Sequence, residues 1–236
     1  MDKKFSKISN IVLDDVESWK NKIFLTFDID WAHDEIINDC YELISQYNIF
    51  STWFVTHECD FIKMRDHCVE FGIHPNLNPL LNGENSACAH EIVESCASLV
   101  PGARTIRSHS LVQSERLIDI FHDLDFTHVS NTYIPYSSNI EIKPFHLWDG
   151  ITIVPHSFQD NAAIKMSDNL PSKKILSSGF HVFDFHPIHV FLNTECLERY
   201  EGTRSIHRNP TELRKFQNNG YGVRNWLIDI LETGML

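Results

Sequence analysis

Ile23-Phe-Leu-Thr-Phe-Asp28-Ile-Asp30-Trp31 is a short apolar run that breaks into two carboxylates. A stretch of helical period, Ala32 to Tyr47, follows at once, so the first recognisable unit is a strand feeding a helix. The pattern continues outward. Further strands are predicted at Phe50 to Val55, Glu70 to Ile73, Thr105 to Arg107, Phe126 to Ser130, Lys143 to Trp148, Ile151 to Val154 and Gly179 to Phe185. Further helices are predicted at Ala87 to Leu99, Ser114 to Asp123, Pro210 to Asn219 and Val223 to Glu232, while Tyr133 to Asn139 and Gln159 to Lys174 read as loops. Short strands alternating with helices mark the α/β class, a parallel sheet that closes as a barrel or winds doubly. No repeat or low-complexity linker interrupts residues 1–236, which read as a single domain with an N-terminal extension over 1–21.

Composition narrows the function. The 20 Lys and Arg against 32 Asp and Glu give a net charge of −12, the wrong sign for a nucleic-acid binder. Nine glycines fall well short of the roughly 16 that average usage would give, and none sits in a dinucleotide, phosphate-loop or nucleophile-elbow motif. Fourteen histidines outnumber them, and histidine is the commonest metal ligand and the best proton carrier near neutral pH. No apolar run approaches the roughly 18 residues of a membrane span, and Met1 to Asn10 lacks the apolar core of a signal peptide, so a cytoplasmic protein is expected. The six cysteines contain no C-x-x-C pair and are expected to be reduced.

Four strand ends carry the chemistry. Asp28 and Asp30 are two residues apart, so a strand points both to one face, where they repel unless a cation or a shared proton intervenes. The plainer reading makes Asp30 the N-cap of the next helix. In Glu70-Phe-Gly-Ile-His74-Pro-Asn-Leu-Asn78, Pro75 can open a helical turn, which would set His74 and Asn78 on one face at i, i+4 as a two-ligand metal clamp; the alternative is a loop histidine bonded to backbone. In Ile106-Arg107-Ser108-His109-Ser110, Arg107 can hold a carboxylate through a bidentate pair and His109 can contact substrate, against a surface arginine beside a capping serine. In Phe183-Asp-Phe-His186-Pro-Ile-His189, the strand delivers His186 to the rim as a general acid, with His189 turning away past the proline. Trp31 and Trp148 are candidate aromatic contacts for a substrate, with Asp149, His156 and Asp160 weaker candidates nearby.

These residues also resemble a known family. Thr26-Phe-Asp-Ile-Asp30 is similar to the T-F-D-D-G motif of polysaccharide deacetylases, carbohydrate esterase family 4, and Ser51-Thr-Trp-Phe-Val55 to that family's second strand. His74-x-x-x-Asn78 stands where the family has H-[ST]-x-x-H, Arg107 where it has its third-motif arginine, and His186 where its last strand carries the general acid. The wording R-S-H-S-L and H-P-N-L-N resembles the WbmS-like branch associated with surface-polysaccharide synthesis. The resemblance covers Ile23 to Leu192. It implies an irregular seven-stranded (β/α) barrel that hydrolyses an N-acetyl group on a sugar. Asp28 is then the base, His186 the acid, Arg107 a catalytic arginine that holds a catalytic carboxylate, and Asp30, His74 and Asn78 the ligands of a divalent metal. Zinc is the first expectation; one carboxylate, one imidazole and one amide oxygen make a harder site, which leaves Mn²⁺, Co²⁺ and Fe²⁺ open. The expected partner is a small sugar, nucleotide-linked or lipid-linked, with no nucleic acid and no membrane insertion. Two other readings stand beside it: a metal-free carbohydrate-binding protein, which Asn78 favours, and a different hydrolase on the same barrel.

Overall fold

A computed structural model describes residues 4–83, 87–147, 150–166 and 179–234. In chain order it holds β1 (Ile23–Asp28), α1 (Asp34–Ser45), β2 (Ser51–Val55), β3 (Val69–Ile73), α2 (Asn78–Leu81), α3 (Ala89–Ala97), β4 (Thr105–Ile106), α4 (Glu115–Asp123), β5 (His128–Val129), β6 (Phe145–His146), β7 (Thr152–Ile153), β8 (Phe158–Gln159), α5 (Asp160–Met166), β9 (His181–Phe185), α6 (Pro187–Leu192), α7 (Leu197–Gly202), α8 (Pro210–Leu213) and α9 (Val223–Gly234). One curled sheet runs β6-β7-β5-β4-β3-β2-β1-β9-β8, parallel throughout except for the antiparallel pair β6–β7. Among the described residues the strands number nine, against the seven that the family resemblance implies. β6, the exposed edge strand, falls in the strand expected over Lys143 to Trp148, whereas β8 was not expected and runs into the stretch read as loop from Gln159. β7 and β8 belong to one stretch. His156 N donates to Thr132 O at 2.9 Å, Ile134 N to His156 O at 3.0 Å and Ser157 N to Val182 O at 3.0 Å, so this stretch ties the β5 flank to the β9 flank.

All six residues of β1 are buried, as a parallel strand covered on both faces requires. Its odd residues Ile23, Leu25 and Phe27 pack outward in a core that also holds Ile36, Ile37, Cys40 and Ile44 of α1 and Leu227 and Ile230 of α9. Its even residues point into the curl in layers. Phe24 sits lowest, against Val154, Val182, Ile8 and Ile11; Thr26 comes next and Asp28 at the top. The N-terminal segment is therefore not an appendage: Ile8 is fully buried and plugs the lower mouth, and Phe5 bridges to Ile23. Gly72 lets β3 and β4 close up, since a Cβ there would lie 2.4 Å from Thr105 Oγ1 and 2.8 Å from the Phe54 ring.

Three helices were not anticipated. α5 lies in sequence read as loop. α6 is buried along its whole length, which leaves no polar face and so no helical period. α7 is a single short turn and a half. No helix of the described residues is long and apolar enough to cross a membrane.

Candidate active site

The parallel strands end together, and the inward row of each continues into the rim. Asp28 closes β1, 1% exposed. Asp30 does not cap α1: His33 does, its Nδ1 accepting from Glu35 N at 3.2 Å. Asp30 instead occupies a turn with φ +37°, followed by Trp31 at φ +57°, and that turn brings its carboxylate back toward the centre. His74 extends β3 by one ladder bond, its N donating to Val55 O at 2.7 Å. Asp30 Oδ1 lies 3.2 Å and Asp28 Oδ2 3.6 Å from His74 Nε2. Burial opposes the charge on Asp30, yet its bonds to His109 and His74 and the field of His186 outweigh that cost and hold the carboxyl well below the usual range.

Arg107 follows β4 and is wholly buried, stacked with its guanidinium carbon 4.5 Å from the Phe54 ring centre. Its Nε donates to Ser130 O (3.1 Å) and its Nη2 to Ser130 Oγ (2.9 Å). Its Nη1 serves Thr26 Oγ1 (2.9 Å), Asp28 Oδ1 (3.0 Å) and Asp184 Oδ1 (2.5 Å). One cation thus stands between two buried carboxylates. Burial and the neighbouring Asp28 push Asp184 up to about 8 against the pull of Arg107, so Asp184 holds a proton far more readily than an ordinary carboxyl.

His186 ends β9 and opens α6. Its N donates to Asp160 Oδ2 at 2.7 Å, its Nδ1 lies 2.6 Å from Asp160 Oδ1, and its Nε2 faces Asp30 Oδ2 at 3.5 Å. Burial alone would lower its pKa, but the charge and hydrogen bond of Asp160, with Asp30 behind, raise it well above the ordinary value. An imidazolium with its free N–H turned toward the rim is the result. His189 packs its ring 5.8 Å from that of His186 rather than turning away, and burial drops its pKa to about 4.

Of the anticipated residues, the structure brings together Asp28, Asp30, His74, Arg107, His109, His186 and Trp31. Trp31 sets its ring at 74° to that of His109, 5.1 Å between centres. It also lines a hollow of about 600 Å³ with Thr56, His57, Asn76 and Glu91. A smaller hollow of about 90 Å³ opens between Asp30, His186, Ile164, Ile188, Leu197 and Tyr200. Trp148 and Asp149 lie outside the described residues. Asn78 requires a correction. The helical turn starts at Asn78 with Pro79, not at Pro75, because residues 74–77 are drawn out by the ladder bond of His74 and by an Asx turn in which Asn78 N donates to Asn76 Oδ1 at 3.1 Å. His74 and Asn78 therefore do not share one helical turn, and Asn78 Nδ2 donates to Ser110 Oγ at 2.9 Å. Asp160, weighed only as a weak candidate, is the direct partner of His186. Asp184 was overlooked, although it stands two residues before His186 and so shares its strand face.

A divalent metal fits this rim. Asp30 Oδ1 and His74 Nε2 converge at 3.2 Å, and both sit where a cation relieves the crowding of carboxylates. His74 Nδ1, buried, has no hydrogen-bond partner among the described residues, and the nitrogen facing the rim is the one at the junction of Asp28 and Asp30.

Residues 25–204 match the family model described as WbmS-like polysaccharide deacetylase. The chain belongs to the WbmS-like polysaccharide deacetylases. Among solved structures, a protein from Bordetella bronchiseptica described as a polysaccharide deacetylase involved in O-antigen biosynthesis superposes with TM-score 0.94 at 38% identity over 99% of both chains. Polysaccharide deacetylases are also matched in Mycobacterium smegmatis, at 14% identity over 90% of each chain with TM-score 0.47, and in Bacillus anthracis, where a family 4 carbohydrate esterase shares 15% identity over 89% of this chain and 82% of its own, TM-score 0.41. No curated protein matches the chain. The family is one of polysaccharide deacetylases.

Proposed function

We propose that this WbmS-like protein is a metal-dependent hydrolase that removes an N-acetyl group from a sugar precursor of a surface polysaccharide. The similarity to the Bordetella protein of O-antigen biosynthesis supports the polysaccharide context. Six cysteines, none of them in a disulfide, suit a reducing compartment, the cytoplasm, and hence a nucleotide-linked or lipid-linked precursor. Zinc is the first metal proposed, with Mn²⁺, Co²⁺ and Fe²⁺ as alternatives.

The observation that carries the reading is an acceptor and a donor either side of one pair of ligands: Asp28 Oδ2 3.6 Å from His74 Nε2, and His186 Nε2 3.5 Å from Asp30 Oδ2. Asp30 and His74 would hold the metal together with a third donor. When bound, a divalent metal supplies a water whose pKa falls from about 15.7 toward about 7, worth roughly 12 kcal/mol at about 1.36 kcal/mol per unit. Asp28 receives the proton of the attacking water on Oδ2, because Arg107 Nη1 occupies Oδ1 and turns the other oxygen to the rim. His186, protonated through Asp160, gives its Nε2 proton to the departing amine and afterwards draws a proton back from the site. Ile164, Ile188 and Leu197 line the small hollow beside these groups, whose size of about 90 Å³ suits a short acyl group.

The test is acetate release by metal-loaded protein from free, nucleotide-linked and lipid-linked N-acetyl sugars, beside the Asp28→Asn and His186→Gln variants. Release from at least one class, lost in both variants, is expected. Glycan binding without release by the metal-loaded wild type would replace the hydrolase with a binding protein.

A further inference from the structure

The family pattern assigns two histidines four residues apart to the metal, and this chain has His74 and Asn78. The tertiary structure supplies the missing nitrogen from elsewhere. His109 Nδ1 lies 3.2 Å from Asp30 Oδ1 and 3.3 Å from His74 Nε2, and Asp30 Oδ1 lies 3.2 Å from His74 Nε2. These three atoms make a nearly equilateral triangle. Nitrogen and oxygen ligands held about 2.0–2.1 Å from a tetrahedral ion stand about 3.3–3.4 Å apart, so the triangle has the size of one face of such a polyhedron.

We infer that His109 Nδ1 is the third protein ligand of the metal in place of the residue at 78, and that Asn78 is a positioning residue acting through Ser110. The inference rests on the metal-dependent reading above.

The loop after β4 is built to hold that ring. His109 N donates to Pro75 O at 3.0 Å, so the segment carrying His109 is laced to the segment carrying His74. Ser108 N donates to Asn131 Oδ1 at 2.8 Å just before it. Just after it, Ser110 and Leu111 both take φ +57°, an arrangement uncommon for residues other than glycine. Asn78 Nδ2 bonds the Ser110 hydroxyl and supports this turn. The rings of Trp31 and His74 meet the His109 ring edge to face at 5.1 Å and 5.4 Å. Three acceptor positions facing one another explain why a cation is wanted: a single proton satisfies one of the three contacts, whereas a divalent ion satisfies all of them. The neighbouring triplet of Asp28, Asp184 and His186 has no such need, because Arg107 already places its charge between the two carboxylates. With one carboxylate and two imidazoles, the donor set is softer than the carboxylate, imidazole and amide expected from the motif, which favours zinc over manganese.

The experiment is a competitive zinc titration of apo-protein at one pH above about 7, where imidazoles are mostly neutral, with the spectrum of the cobalt(II) form as a second readout. His109→Ala is expected to weaken zinc by more than about 100-fold, beyond the 10–100-fold that loss of an outer partner costs, and His109→Gln by at least about 10-fold. Both should lose the intense visible bands of tetrahedral cobalt, with circular dichroism confirming that they fold. Asn78→Ala is expected to cost less than about 10-fold and to keep those bands. If Asn78→Ala costs more than both His109 variants, or if they bind zinc as tightly as the wild type, the ligand assignment falls while the metal-dependent reading stands. A wild type that takes up neither zinc nor cobalt overturns both.

Discussion

Replacing Arg107 with methionine removes the one cation that two buried carboxylates share. The guanidinium is fully buried and makes five hydrogen bonds, to Ser130 O, Ser130 Oγ, Thr26 Oγ1, Asp28 Oδ1 and Asp184 Oδ1. Methionine fills similar volume over Phe54, so the loss is electrostatic rather than a cavity. Breaking a buried pair by removing one partner costs about 3–5 kcal/mol, since the other partner stays buried without compensation. Asp184 contributes less to that cost, because burial and the neighbouring Asp28 push its carboxyl toward the neutral form. The uncompensated group is Asp28. At about 2–4 °C per kcal/mol for a chain of this size, melting should fall by about 6–20 °C. Thermal and urea unfolding at pH 7 measure this, and two double variants locate it. Adding Asp28→Asn to Arg107→Met should recover most of the loss, whereas adding Asp184→Asn should recover little. Recovery by Asp184→Asn instead, or an Arg107→Met protein within about 1 kcal/mol of wild type, would refute the charge balance argued here.

Asp28→Asn should abolish turnover and leave the metal in place, as measured by metal analysis beside acetate release, whereas His74→Ala should lose the metal. His128 is buried neutral with Nε2 2.9 Å from Ile11 O, and burial lowers its pKa. The unfolded chain then binds more protons between the folded and unfolded pKa values, so the stability it contributes is complete above about 6.5 and is lost as pH falls below that value. His128→Gln should flatten the dependence of melting temperature on pH between 7.5 and 5, a comparison read by calorimetry. Gly72→Ala should destabilise by about 1–3 kcal/mol in urea unfolding through overpacking, since the new Cβ meets Thr105 O at 2.8 Å and backbone cannot step aside.

The α/β class and most of the rim could be read from short-range pattern alone. Strands of alternating side chains put Thr26 with Asp28 on one face, and Asp184 with His186 on another, before any neighbour is known. All eight anticipated strands overlap observed ones, seven of them because a parallel strand buried on both faces is an apolar run; the eighth, β6, is antiparallel and exposed. The sequence likewise placed Arg107 at a strand end beside a carboxylate. What it could not supply is distance across the sheet. His109 lies 35 residues from His74 and 79 from Asp30, and their meeting depends on the strand order β1-β2-β3-β4 and on the curl that turns three strand ends to one point. Periodicity carries no trace of that curl, so the approach of His109 to Asp30 and His74 had no signal in the sequence. Asp160 was hidden for a related reason: it sits at the start of α5, 26 residues from His186, in sequence whose polar character resembled a loop. Local chemistry decides which face a side chain takes; only the closed packing of β9 against β1 and β8 decides which side chains then share a proton or an ion.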